Sequence, residues 1–193
     1  LLFCNDPNNI NEQPDNVYNV RKLYTSAASV KWLANHRHDI TSELYDENIK
    51  IQNKSFFFNG CINLTGSPVC DSYVQNMYHT YYNCYNLTGS PICGENVTDM
   101  SFTYYFCNNI TGSPVCGNNV TNLRGTYRGC KNLTGSPICG ENVVNMYQTY
   151  VSCSNLTGSP VCGDKVVNMS GTYDYCHNLT GSPVCGDKVV NMY

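Results

Sequence analysis

The string Asn-(Leu/Ile)-Thr-Gly-Ser-Pro-(Val/Ile)-Cys begins at Asn63, Asn86, Asn109, Asn132, Asn155 and Asn178, always 23 residues apart. A register held without insertion over six copies is the mark of a solenoid, because each copy is then one coil stacked on the last. Such a fold presents long, regular faces and no single deep pocket. The pattern therefore directs attention to binding, display and assembly.

Full copies run 61–83, 84–106, 107–129, 130–152 and 153–175, with a partial copy at 176–193 and a degenerate one at 48–60. Apolar residues recur at fixed offsets. Leu64, Leu87, Ile110, Leu133, Leu156 and Leu179 form one row, and Met77, Met100, Leu123, Met146, Met169 and Met192 a second. Tyr81, Tyr104, Tyr127, Tyr150 and Tyr173, each preceded by Thr, form a third. Stacking turns each row into a ladder along a narrow core. The Pro-(Val/Ile)-Cys piece reads as a short strand, its β-branched residue inward, pairing in parallel with its copies at about 4.8 Å. The stretch from Asn96 to Tyr104 is open between a helical turn, an irregular arc and a second strand.

Residues 1–47 differ in composition and read as an N-terminal cap, which a solenoid needs to cover its end coil. Over 17–35, Val20, Leu23, Tyr24, Ala27, Val30 and Ala34 recur at three- and four-residue steps, the spacing of a helix with one apolar face. Trp32 is placed to seal this helix on the first coil. The chain opens at Leu1 without Met and stops part-way through a copy, so the reading expects further coils beyond Tyr193.

The order Asn142-Val143, Asn145-Met146, Tyr150, Cys153, Leu156-Thr157 resembles the BspA-type leucine-rich repeats of bacterial and protist surface proteins. Phe57-Phe58-Asn59-Gly60-Cys61 and Leu64-Thr65 echo the same motif. The resemblance covers about 48–193. It implies a right-handed, leucine-rich-repeat-like β-solenoid, a role in surface attachment, and a ladder cysteine that is a buried free thiol. The chain departs from the family where Ser-Pro-(Val/Ile)-Cys replaces a Leu-x-Leu strand.

Twelve of the thirteen cysteines form two ladders. One is Cys61, Cys84, Cys107, Cys130, Cys153 and Cys176; the other is Cys70, Cys93, Cys116, Cys139, Cys162 and Cys185. Three states are open: bridges within a copy (Cys84 to Cys93), bridges offset between copies (Cys70 to Cys84, with Cys4 to Cys61), and reduced thiols packed as small apolar groups. Metal binding is disfavoured, since no Cys-x-x-Cys occurs and no histidine recurs in register. The Asn-x-Thr/Ser sequons, repeated with the copies, read first as turn and ladder residues and second as glycan acceptors.

Eleven basic against fourteen acidic residues leave a net charge of −3, which argues against a nucleic-acid partner. Charged residues make up 13% of the chain. The neutral polar surface that replaces them fits an extracellular, cell-surface or virion-surface setting. No apolar run approaches the ~20 residues of a membrane helix. His36, His38, Asp39 and Ser42 lie close in sequence but make no triad on that ground alone, and read as a solvated loop. No catalytic, metal or cofactor residue is assigned.

Residues flanking the first cysteine of each copy vary, whereas core and turn positions repeat. The varied residues include His79 and Gln148, and stacking aligns them into one strip whose candidate binding residues are Tyr78, Tyr82, Tyr85, Phe102, Tyr105, Phe106, Arg124, Arg128, Tyr147 and Tyr175. Tyrosine supplies contact area at low rotamer cost, which suits recognition. The reading is a non-enzymatic surface or virion-appendage protein that adheres to a cell-surface protein or glycan through this strip. The alternative is a stalk or filament subunit that self-associates by end-to-end coil stacking. A weaker alternative is ice binding through Thr80, Thr103, Thr126, Thr149 and Thr172.

Overall fold

The computed structural model describes residues 51–193. The expected helix over 17–35, Trp32, Cys4 and the His36–Ser42 loop lie outside these residues.

Asn53, Asn76, Asp99, Asn122, Asn145, Asn168 and Asn191 are joined in sequence by parallel bridges, one per coil. Around each bridge the backbone alternates direction. Thr98 donates its N–H back to Gln75 at 2.9 Å, whereas Met100 donates forward to Asn122 at 3.1 Å. The pairing consists of single-residue bridges, not strands of several residues, and it sits on the Asn arc. Residues 51–60 keep the register, since Lys54 donates to Asn76 and Phe58 to Thr80, both at 2.9 Å.

After the bridge the chain runs as linked tight turns, neither helix nor strand. Successive N–H groups alternate between closing a turn and reaching the next coil. Thr80 bonds back to Met77 at 3.0 Å, Tyr81 forward to Thr103 at 2.9 Å, Tyr82 back to His79 at 3.4 Å and Asn83 forward to Tyr105 at 2.8 Å. The reversals need two left-handed residues per coil, such as His79 (φ 55°) and Asn83 (φ 61°), or Gly125 (φ 60°) and Gly129 (φ 80°). Most peptide groups on this arc thus gain a partner without a conventional sheet.

The Pro-(Val/Ile)-Cys piece differs from expectation. Bridges join it only between Ile138, Val161 and Val184. The β-branched residue points out: these three are 61%, 47% and 63% exposed. The flanking Pro137 and Cys139, and Pro160 and Cys162, are buried instead. Extended backbone alternates faces, so with proline and cysteine inward the residue between them must face solvent. In earlier coils the Tyr81, Tyr104 and Tyr127 hydroxyls cross the core and bond to the backbone of Val69, Ile92 and Val115.

The core is a set of ladders. In one coil Cys84, Leu87, Val97, Met100 and Tyr104 are wholly buried, each in register with its equivalents. Each fully buried Leu or Met side chain contributes about 1.5–3 kcal/mol. The tyrosine rings of 81, 104, 127, 150 and 173 stack with centroids 5.4–5.7 Å apart and planes within 4–7° of parallel. Lys54 takes the methionine position in its coil, and its ammonium donates to the Val69 carbonyl at 2.7 Å.

All twelve described cysteines are free, so neither proposed bridge pattern is present among them. The inner-ladder thiols donate across coils: Cys84 to Phe58 O at 2.9 Å, Cys107 to Tyr81 O at 3.0 Å and Cys130 to Tyr104 O at 2.9 Å. The outer-ladder thiols nest over the glycine that follows cysteine in the next coil. A Cβ at Gly117 would come within 2.9 Å of Cys93 Sγ.

The threonine row is also inside. Thr80, Thr103, Thr126, Thr149 and Thr172 are 0–2% exposed. Thr103 Oγ1 donates toward the carbonyls of Met77 and Met100, both at 2.7 Å, and so ties two coils together. The row proposed for ice contact therefore presents no surface to a lattice.

Candidate recognition surface

The left-handed residues that turn each coil also set its outer face. Phe56, His79, Phe102, Gly125, Gln148 and Gly171 share one left-handed position in successive coils. The residues just before them are Ser55, Tyr78, Ser101, Arg124, Tyr147 and Ser170. Side chains from these two rows meet across coils.

His79 is the hub. Its ring centroid lies 5.0 Å from Phe56, 4.3 Å from Tyr78, 4.6 Å from Tyr82 and 4.9 Å from Phe102. Burial among these rings lowers its pKa, opposed by the Asp99 carboxylate, and so favours the neutral imidazole. Tyr82 stacks on Tyr105 at 4.6 Å, and Tyr105 meets Phe106 edge-on at 4.7 Å. Burial also raises the Tyr82 phenol, with Tyr105 and Tyr85 adding to the shift.

Two arginines continue the surface. Arg124 lies over Phe102 and over Tyr147, 5.3 Å from each centroid. Arg128 lies 5.7 Å over Tyr105 and donates to Gln148 Oε1 at 2.5 Å. Such cation–π contacts are each worth about 0.5–1 kcal/mol when exposed. A shallow depression of about 260 Å³ beside them is lined by Arg124, Asn145, Tyr147 and Asn168.

Eight of the ten residues read from the sequence thus form one connected patch: Tyr78, Tyr82, Phe102, Tyr105, Phe106, Arg124, Arg128 and Tyr147. Two stand apart from its ring contacts. Tyr85 is 40% exposed, and Tyr175 is 68% exposed with an edge contact to His177 at 6.2 Å. The strip includes His79 and Gln148, though not among its binding candidates, and it leaves out Phe56, Asn145 and Asn168. Phe56 and His79 share the register of Phe102, which is the signal that places them on this face. The two asparagines look like repeat scaffold, and only the coil geometry sets them beside Tyr147.

The sequon residues Asn63, Asn86, Asn109, Asn132, Asn155 and Asn178 are all exposed. Asn86 Nδ2 donates to Ile62 O of the previous coil at 2.9 Å, and Asn96 and Asn119 make equivalent bonds to Ser72 and Glu95. Among the described residues no group of three His, Cys, Asp or Glu side chains could hold a metal ion. No helix of the described residues is long and apolar enough to cross a membrane. No protein-family model, curated protein or solved structure matches the chain.

Proposed function

We propose that this chain is a non-enzymatic surface or virion-appendage repeat protein that adheres to a cell-surface protein or glycan. The fold assigned with it, over the described residues, is a leucine-rich-repeat-like, right-handed β-solenoid. The observation that carries the reading is the connected aromatic–arginine patch from Phe56 to Tyr147. Large rings are costly to leave in contact with water. Aromatic and arginine side chains are also the types that dominate binding energy at interfaces. Repetition supports weak contacts through avidity, since a ligand with several equivalent groups meets several coils at once.

The test is adhesion of the labelled protein to a panel of cells and immobilised glycans, with wild type beside Tyr82→Ala and Tyr105→Ala. Adhesion that falls at least tenfold in the variants supports the reading. Equal adhesion by all three proteins, or none by any, sinks it.

A second reading is a stalk or filament subunit. It draws on the polarity of the turn arc, whose inter-coil N–H groups all donate to the following coil, as in Tyr81 to Thr103 and Tyr104 to Thr126. A head-to-tail contact of that kind does not close, and it grows into filaments. Concentration-dependent assembly that Tyr82→Ala and Tyr105→Ala leave unchanged would favour it.

A further inference from the structure

Within the patch, the depression beside Tyr147 has its own chemistry. The Arg124 cation is held between Phe102 and Tyr147, the rings of the coils on either side. Its backbone N–H is occupied by Asn122 Oδ1 at 3.1 Å, but its guanidinium makes no hydrogen bond or ion pair with another described residue. Arg128, by contrast, spends a donor on Gln148. Arg124 is thus a positioned planar cation with its N–H groups unspent.

The other polar groups lining the depression are donors too. Asn145 Oδ1 accepts the Tyr147 N–H at 2.9 Å, and Asn168 Oδ1 accepts the Ser170 N–H at 3.0 Å. These bonds turn each amide oxygen toward its own backbone and leave the Nδ2 donors with no partner among the described residues. No acidic side chain lines the depression. A site made of a fork of guanidinium N–H groups and two amide donors selects an anion, and the planar fork matches a carboxylate.

Tyr147 supplies the remaining element. One neighbour in its row is Arg124; the other, in the next coil, is Ser170, too short to cover a phenol ring. A flat apolar face beside a carboxylate-binding fork suits a pyranose ring that carries a carboxylate. The net charge of −3 opposes a polyanion such as nucleic acid and leaves a small, singly charged sugar as the better fit.

We infer that the Arg124–Asn145–Tyr147–Asn168 depression binds an acidic saccharide, with the sugar carboxylate on Arg124 and the two asparagine amides and the ring on Tyr147. The inference rests on the adhesion reading above and names its ligand class.

The test uses the whole chain and polymer-presented sugars: sialyllactose, a uronic-acid disaccharide, the carboxyl-reduced form of each, lactose, a sulfated galactose and an oligoglutamate peptide. Wild type is expected to bind at least one of the two acidic sugars and to lose about ten- to hundredfold on carboxyl reduction. Arg124→Lys keeps the charge but not the fork and is expected to lose at least tenfold, whereas Lys131→Gln, outside the depression, leaves binding unchanged. The carboxyl-reduced probes test the same point on unmodified protein, independently of whether a variant folds.

Binding of reduced and acidic sugars alike overturns the inference. So does a preference for the sulfated sugar, or equal Arg124 dependence for oligoglutamate. Adhesion to cells that persists after their acidic sugars are removed overturns it and leaves the adhesion reading standing. A chain that adheres to nothing overturns both.

Discussion

The Tyr104 hydroxyl donates to the Ile92 carbonyl at 2.8 Å and accepts from the Ile92 N–H at 3.1 Å. One side-chain oxygen thus satisfies both peptide groups of a residue twelve positions earlier, across the core. Tyr81 with Val69 and Tyr127 with Val115 repeat the arrangement. Tyr104→Phe keeps the stacked ring and leaves both Ile92 groups unpaired. A buried unpaired group costs about 1–3 kcal/mol. The variant is expected to unfold at lower urea with an unchanged slope, and a midpoint equal to wild type would refute the bond's role.

The same core separates what a sequence can specify from what only packing decides. The ladders of Leu87, Met100 and Tyr104 are legible because a constant period with constant apolar chemistry has one economical packing. The direction of Ile92 or Ile138 is not, because it depends on partners twelve or twenty-three residues away. The left-handed arc is hidden for a similar reason. Glycine marks it at Gly125 and Gly129, but His79, Asn83, Phe102 and Phe106 occupy the same positions in other coils. The aromatic patch was largely legible, because its residues vary where their neighbours repeat. The depression was not, because Asn145 and Asn168 belong to the repeating scaffold.

The ice-binding alternative puts Thr103 on the surface, since threonine is as common outside as inside. Its position next to the buried tyrosine in every copy is the clue that it serves the core. Thr103→Val preserves shape and removes the bridge to Met77 O and Met100 O. Both carbonyls keep a backbone donor, Thr80 and Thr103 N–H respectively. The expected loss is therefore the smaller figure of about 0.5–1.5 kcal/mol. Thr88→Val, at an exposed position, is expected to change stability by less than about 0.5 kcal/mol. Equal effects at the two sites in chemical denaturation would show that burial of Thr103 is unimportant.

The thiols predict a distinctive alkaline limit. Burial raises Cys93 to about 12 and Cys139 to about 11, and pushes Cys84, Cys130 and Cys153 well above the ordinary range. Unfolded thiols ionise near pH 8.5. Above that pH the unfolded chain has released protons that the folded chain still holds, so stability falls as pH rises. Stability from these groups is complete below about pH 8 and declines from about pH 8.5 upward. Denaturation midpoints at pH 7, 8.5 and 10 should fall in that order. At pH 8 a thiol with a pKa near 12 is thiolate in only about one part in ten thousand, so native alkylation should be slow. Denatured protein should take up alkylating reagent at all twelve ladder cysteines without prior reduction. Rapid native labelling, or labelling that needs a reductant, would contradict the free buried ladders.

Gly129 and Phe106 test whether the recognition face and the coil stack are one construction. A Cβ on Gly129 would lie 2.3 Å from Phe106 Cδ1, closer than any real contact, and Gly129 also sits at φ 80°. Gly129→Ala therefore carries two costs. The left-handed backbone costs about 1–2 kcal/mol for a residue with a Cβ, and the Phe106 ring must be displaced as well. Removing the ring first, with Phe106→Ala, leaves only the backbone cost. The double-mutant cycle should show Gly129→Ala less damaging in the Phe106→Ala background, with a coupling of about 0.5–3 kcal/mol. The same cycle read by ligand binding should place Gly129→Ala among variants that weaken adhesion, because a displaced Phe106 disturbs the edge contact to Tyr105 at 4.7 Å. Additive stabilities would mean that the ring and the glycine are independent, and that the aromatic face sits on the stack without being shaped by it.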